Sequence, residues 1–264
     1  MISLKRFMKV GSVLVGLMVS IFTVSSAANP DNLYGRHAEG KNGVVAAANP
    51  EASKIGVEVM KKGGNAVDAA VATAFAISVF EPNASGIGGG GFMLIRMAKT
   101  GKTVVIDYRE KAPAKATPDM FVLDENGKVV NDEITVGGKA SGVPGTVAGL
   151  LTALEKYGTM KRADVMAPAI KHAGEGIIVS KNLEGIIQDN YEKLVKFDAA
   201  SAVYLKDGLP YEAGDRLVNK DLAATLTKIS KEGKKAFYEG EIAKKIADEV
   251  QKQGGLMTVE DLKN

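Results

Sequence analysis

A chain of 264 residues with 45% hydrophobic and 25% charged side chains has ordinary globular composition and room for one large or two small domains. The absence of cysteine excludes thiol catalysis, disulfides, iron–sulfur ligation and cysteine-based zinc sites within the chain, and the absence of tryptophan, with aromatics at 6%, argues against a stacking platform for nucleic acid. The formal charge of +3 comes from Lys5, Arg6 and Lys9. The first 27 residues hold no acid, and 34 basic residues less those three leaves 31 against 31 acidic, so the rest carries no basic footprint for nucleic acid.

Residues 1–27 read as a signal peptide. Lys5, Arg6 and Lys9 form the basic segment, Val10 to Val24 the short apolar segment, and Ser25-Ser26-Ala27 offers small residues for cleavage. The rival reading is a membrane anchor, but the apolar stretch is shorter than the ~18–20 residues a span needs. Gly43 to Ala48 reads as a short buried strand. Asn49-Pro50 opens a helix running to Lys62 and stopped by Gly63-Gly64. Asn65 caps a second helix, Ala66 to Phe80, apolar nearly all round and so expected to lie buried between layers.

Glu81 to Gly91 is expected as a loop. Phe92 to Met97 and Thr103 to Arg109 form a hairpin across Lys99-Thr100-Gly101-Lys102. A turn at Asp124-Glu125-Asn126-Gly127 and a glycine-rich loop from Gly137 to Gly145 lead to a helix from Thr146 to Tyr157. Further helices are expected over Arg162 to Ala173, Asn182 to Phe197, Lys220 to Lys231 and Glu239 to Gln253, with turns at Asp207-Gly208 and Gly214-Asp215. Thr258-Val259-Glu260-Asp261 has the pattern of a capping box.

Gly86-Ile87-Gly88-Gly89-Gly90-Gly91 fits G-x-G-x-x-G by letters, but a dinucleotide site needs a strand before it and a helix after it. Here the order is reversed. Two readings remain open: a loop that lets layers pack closely, or backbone lining a substrate cleft. At the end of the hairpin, Asp107 and Arg109 share one strand face and Tyr108 and Glu110 the other. The planar guanidinium of Arg109 suits a substrate carboxylate, with Asp107 steering its rotamer. The alternative is a structural ion pair of Arg109 with Asp107 or Glu110. His37 and His172 are the only histidines and stand at no ligand spacing, so no metal site is expected. No G-x-S-x-G elbow or S-x-x-K pair is present, and no activated nucleophile of the familiar kinds is found.

The run Glu81-Pro82-Asn83-Ala84-Ser85-Gly86-Ile87-Gly88-Gly89-Gly90-Gly91-Phe92, with Asp107-Tyr108-Arg109-Glu110 after it, resembles the γ-glutamyltransferase (γ-glutamyltranspeptidase, glutathione hydrolase) family. Gly63-Gly64-Asn65-Ala66-Val67-Asp68, Gly142-Val143-Pro144-Gly145, Gly214-Asp215-Arg216-Leu217 and Phe237-Tyr238-Glu239-Gly240 agree in order, and the resemblance covers residues 40 to 264.

The resemblance implies an α+β fold, a four-layer αββα sandwich of the N-terminal nucleophile hydrolase type, incomplete within these residues. Residues 28–264 would be most of a large subunit cut from a precursor that also supplies a small subunit. The small subunit's N-terminal threonine would attack the γ-glutamyl amide of glutathione and related compounds, its own α-amino group acting as base. The resulting γ-glutamyl-enzyme ester passes to water or to an amino acid or peptide. Arg109 matches the family's arginine for the α-carboxylate, with Asp107 and Glu110 as supports. The threonine lies beyond Asn264, so this chain alone is expected to hold no catalytic residue and to be inactive. No cofactor, metal, nucleic acid or membrane span is implied. The location expected is the periplasm or the external medium. A β-lactam side-chain acylase of the same family and a non-catalytic exported binding module are the rival functions.

Overall fold

The computed structural model describes residues 37–264, so the expected signal peptide lies outside the described residues. The chain divides at residue 44 into two units. In the first, His37 lies 3.2 Å from Glu39. All that follows concerns Val45–Asn264.

Two helices open this unit, and both start as their sequences require. In α1 (Pro50–Lys61) the Asn49 side-chain Oδ1 accepts from Glu51 N–H at 2.9 Å, and Pro50 occupies the first turn. In α2 (Ala66–Phe80) the Asn65 side chain accepts from Val67 and Asp68, while Asp68 accepts back from Asn65 N–H at 2.8 Å. This reciprocal box satisfies several of the amides that a helix start leaves without partners. The expected strand over Gly43 to Ala48 does not form. Among the described residues they pair with no neighbour, and an extended segment without a ladder is not a strand.

The hairpin forms with shorter strands than expected, ending at Arg96 and Asp107 instead of Met97 and Arg109: β1 (Phe92–Arg96) pairs antiparallel with β2 (Thr103–Asp107), Phe92 opposite Asp107 and Leu94 opposite Val105. Alternation sets its two faces. Met93, Ile95, Val104 and Ile106 turn to the core, whereas Phe92, Leu94 and Val105 are 60%, 70% and 60% exposed. The sheet therefore has one covered and one open apolar face.

The rest is mainly helical: α3 (Thr146–Tyr157), α4 (Arg162–Glu175), then α5 (Lys181–Asp189), α6 (Tyr191–Leu194) and α7 (Asp198–Tyr204). A single helix over Asn182 to Phe197 is expected from the sequence. It breaks because Asn190 leaves the helical conformation (φ −108°, ψ 11°) and its amide side chain donates to the Ile186 carbonyl at 2.9 Å. Short ladders join β3 (Ile177–Ile178) to β6 (Arg216–Leu217) and β4 (Leu205–Lys206) to β5 (Leu209–Pro210). Asp207 and Gly208, both at positive φ (54° and 83°), make the turn between β4 and β5. The chain continues with α8 (Lys220–Glu232), α9 (Lys234–Tyr238), α10 (Gly240–Lys252) and α11 (Val259–Lys263). The Thr258–Asp261 capping box forms as its pattern predicts.

The core sits around α2. Its Val71 and Phe75 lie in one buried cluster with Leu150 and Leu151 of α3, Val165 and Met166 of α4, and Leu226 and Ile229 of α8; α3 and α4 pack on α2, and α8 packs on α4. The mixed helix and strand content agrees with the α+β expectation. Among the described residues the strands pair only two by two.

A buried carboxylate ties this core together. Asp68 is fully buried and accepts from Asn65 N–H, Thr159 N–H, the Thr159 hydroxyl and Met160 N–H at 2.7–3.1 Å. Asn65 also donates to the Tyr157 carbonyl at 2.7 Å. The start of α2 is thereby fastened to the end of α3. Burial pushes the Asp68 carboxyl up, but the hydrogen bonds outweigh it and hold it below the usual carboxylate range.

Candidate functional site

The site is built where β2 runs out past Asp107. Gly91 extends the ladder by one step: its N–H donates to Tyr108 O at 3.2 Å and its carbonyl accepts from Tyr108 N–H at 2.9 Å. Gly89 O then accepts from Gly145 N–H at 2.9 Å and Thr146 N–H at 3.0 Å, which joins the glycine run to the start of α3. Two residues further, Lys111 and Val143 exchange backbone bonds at 3.2 and 2.8 Å. Residues 108–111 are thus held between the glycine run on one side and residues 142–149 on the other.

This clasp explains the glycines. A Cβ on Gly90 would stand 2.5 Å from Tyr108 O and 2.7 Å from Glu110 N. A Cβ on Gly145 would meet the Tyr108 carbonyl, and one on Gly149 its ring. None of the three has positive φ, so close approach, not backbone handedness, requires glycine here. Of the two readings open for the run, close packing is what Gly90 and Gly91 do, since a Cβ on Gly91 would stand 3.1 Å from the Tyr108 ring. Gly88 differs, because nothing lies within 4 Å of a Cβ built there.

Arg109 leaves the clasp with its side chain 59% exposed, and its Nη1 stands 2.9 Å from Glu110 Oε2. That oxygen is buried and receives no hydrogen bond of good geometry, so the pair acts as a charge contact. Asp107 does not steer the Arg109 rotamer as expected. Its Oδ1 accepts from the Arg109 backbone N–H at 3.0 Å and so fixes the chain at that residue. The structural ion pair and an outward guanidinium therefore coexist. Glu110 takes one edge, and the remaining N–H donors find no other acceptor among the described residues.

Arg109 lines a cavity of about 560 Å³ together with Asp107, Lys111, Lys234 and Tyr238. The Tyr238 phenol oxygen accepts from Ala148 N–H at 3.0 Å. Burial is the main cause that raises its pKa to about 12, against the lowering effect of the backbone donors, so the phenol stays neutral. A second cavity of about 850 Å³ lies between residues 87–88 and helices α8 and α10, where Glu241 and Lys245 pair at 2.9 Å. His172 packs its ring against Phe80, with centroids 5.0 Å apart. Among the described residues no three metal-ligating side chains come together, and no helix is long and apolar enough to cross a membrane.

Sequence reasoning located Arg109, Asp107 and Glu110 but missed Tyr238. Its partner is 90 residues away, and no local pattern marks a tyrosine as a cap. The fourfold acceptor role of Asp68 was also missed, although an Asn65-x-x-Asp68 pattern before an apolar run carries its signal.

Comparison with known proteins places the chain. Glutathione hydrolase proenzyme of Bacillus subtilis (strain 168) is 49% identical over 244 residues, 91% of this chain and 41% of the relative. Acylase ACY 1 proenzyme of Pseudomonas sp. (strain V22) is 41% identical, over 86% of this chain and 41% of the relative. The chain thus spans well under half the length of these curated relatives. The crystal structure of Helicobacter pylori gamma-glutamyltranspeptidase superposes with a TM-score of 0.82 at 44% identity, covering 86% of this chain and 64% of that one. A family model described as Gamma-glutamyltranspeptidase matches residues 52–264, and the chain belongs to that family.

Proposed function

We propose that these residues supply the donor-anchoring part of a γ-glutamyltransferase that also acts as a glutathione hydrolase. The whole protein cleaves the γ-glutamyl amide of glutathione and related compounds, forms a γ-glutamyl-enzyme ester, and passes it to water, an amino acid or a peptide. The nucleophilic threonine comes from the small subunit of the same precursor, outside residues 1–264. The name proenzyme, carried by the curated relatives, supports such a precursor. Residues 1–27 direct export, to the periplasm or the medium, and residues 28–264 belong to the large subunit. The open apolar face of the hairpin, with Phe92, Leu94 and Val105, suits a sheet that the rest of the protein covers to complete an αββα sandwich.

The observation that carries this reading is Arg109. A guanidinium held at a fixed backbone position, with one edge taken by Glu110 and the other outward, presents the planar fork that a substrate α-carboxylate requires. Asp107 and Glu110 are its supports. In the full-length protein, Arg109→Ala should raise KM for a γ-glutamyl anilide by about tenfold to a hundredfold, as loss of a charge-assisted pair does. Unchanged kinetics would sink the anchor role. The acylase relative favours a second reading, in which the same arginine grips a dicarboxylic acyl group of a β-lactam side chain. Competition between the two donor classes on the intact protein decides between them.

A further inference from the structure

The clasp around residues 108–111 leaves one helix start incomplete. The N-cap of α3 is Gly145, which has no side chain to accept from the first amides, and no side-chain cap bond forms there. Ser, Thr, Asp and Asn are favoured at this position because their oxygens satisfy those amides. Gly145 cannot be exchanged for one of them, because a Cβ there would run into the Tyr108 carbonyl. The close approach that fixes Arg109 therefore removes the cap that α3 would otherwise carry.

The missing acceptor comes from elsewhere in the chain. Tyr238, at the end of α9, brings its phenol oxygen to 3.0 Å from Ala148 N–H in the first turn of α3. Its ring is held edge-on against Phe237, with centroids 5.0 Å apart. The same turn of α3 carries Gly149, which seats the Tyr108 ring, and Gly145 and Thr146, which bond Gly89. Tyr238 and Arg109 also line one cavity.

We propose that Tyr238 is a positioning residue for Arg109: by capping α3 in place of a side chain at residue 145, it holds the helix start against Tyr108 and so sets where the neighbouring guanidinium stands. This rests on the reading of Arg109 as the carboxylate anchor. Tyr238 touches no substrate in this account and acts through the helix and the strand exit.

The test uses the full-length processed protein and two anilide donors, one γ-glutamyl and one a des-carboxy analogue that lacks the α-carboxylate. The quantity read is the ratio of kcat/KM for the two. Arg109→Ala should collapse this preference. Tyr238→Phe, which keeps the ring and loses the acceptor, should cut it by about tenfold, mainly through KM, in line with the cost of a misplaced anchor. The double variant should lose no more than Arg109→Ala alone, because both act on one contact. Should Tyr238→Phe fail to accumulate, 3-fluorotyrosine at position 238, isosteric but a weaker acceptor, should move the ratio less and in the same direction.

If Tyr238→Phe lowers both donors equally and leaves the ratio at the wild-type value while Arg109→Ala collapses it, the tyrosine is only structural and the proposal is overturned. If Arg109→Ala leaves the ratio unchanged, the anchor reading itself fails and this one falls with it.

Discussion

Replacing Gly90 by alanine probes the clasp with a single methyl group. The added Cβ would lie 2.5 Å from Tyr108 O, 2.7 Å from Glu110 N and 2.9 Å from the Glu110 carboxyl carbon. Real Cβ atoms essentially never come within 3.0 Å of such neighbours, and 3.4 Å begins ordinary contact. Two of the three atoms are backbone, so no side-chain rotation relieves the clash. The strand exit has to move away by roughly half an ångström to one ångström, and overpacking of this kind costs about 1–3 kcal/mol. Arg109 sits between the two displaced residues and moves with them. A shift near 1 Å at a binding group costs up to about 100-fold in the reaction it serves. Gly90→Ala should therefore raise KM for a γ-glutamyl anilide by about tenfold or more and lower the thermal midpoint by several degrees. Gly88→Ala is the matched control. A Cβ there meets nothing within 4 Å, so its thermal midpoint should stay at the wild-type value or rise slightly. Steady-state kinetics and differential scanning fluorimetry on both variants decide the matter. A Gly90→Ala protein with wild-type KM and midpoint would refute the claim that close approach fixes Arg109.

Other consequences can be measured directly. Asp68→Ala strands four donors, three of them backbone amides, at the join between α2 and α3. Urea titration should show a loss of about 3–5 kcal/mol, allowing for water reaching some of them. The native Asp68 carboxyl titrates below its unfolded value, so its contribution is full above about pH 5 and is lost as pH falls through the depressed native value. Asp68→Ala should therefore flatten the acid side of the stability profile, and an unchanged acid limb would contradict the assignment. Asp207 holds φ 54°, a conformation hostile to β-branched side chains. Asp207→Val should cost about 1–2 kcal/mol and Asp207→Gly little or nothing, read from denaturation midpoints.

Where structure is decided within a few residues, the sequence was a good guide. Asn49-Pro50, Asn65 and Thr258–Asp261 open their helices as their side-chain chemistry dictates. The hairpin follows from alternation across the turn at residues 98–102. Asn190 shows how one residue can defeat a helical pattern, since its amide competes for the Ile186 carbonyl. The short helix Asp198–Tyr204 carries too few turns for periodicity to reveal it. At the candidate site, residue identity and strand parity drew attention to Arg109 and Asp107 but left a structural ion pair open, and the roles given to Arg109, Asp107 and Glu110 came from the family resemblance. What Asp107 bonds, and which glycines face Tyr108, depend on chain segments that meet only in three dimensions. Gly88 and Gly90 are identical letters two places apart, and their surroundings make one replaceable and the other not.

The borrowed cap of α3 also has a consequence in time. Tyr238 lies 90 residues after the amide that it satisfies. At ribosomal rates of roughly 5–20 residues per second, about 5–18 s separate the synthesis of Ala148 from that of its acceptor. Through that interval the first turn of α3 has no protein partner for this amide, and the Tyr108–Glu110 strand exit has an unfinished wall. Loop closure over so long a stretch adds a non-local step to folding. The contact that completes the wall beside Arg109 can close only after residue 238 has been made, whereas the Asn49 cap of α1 is local.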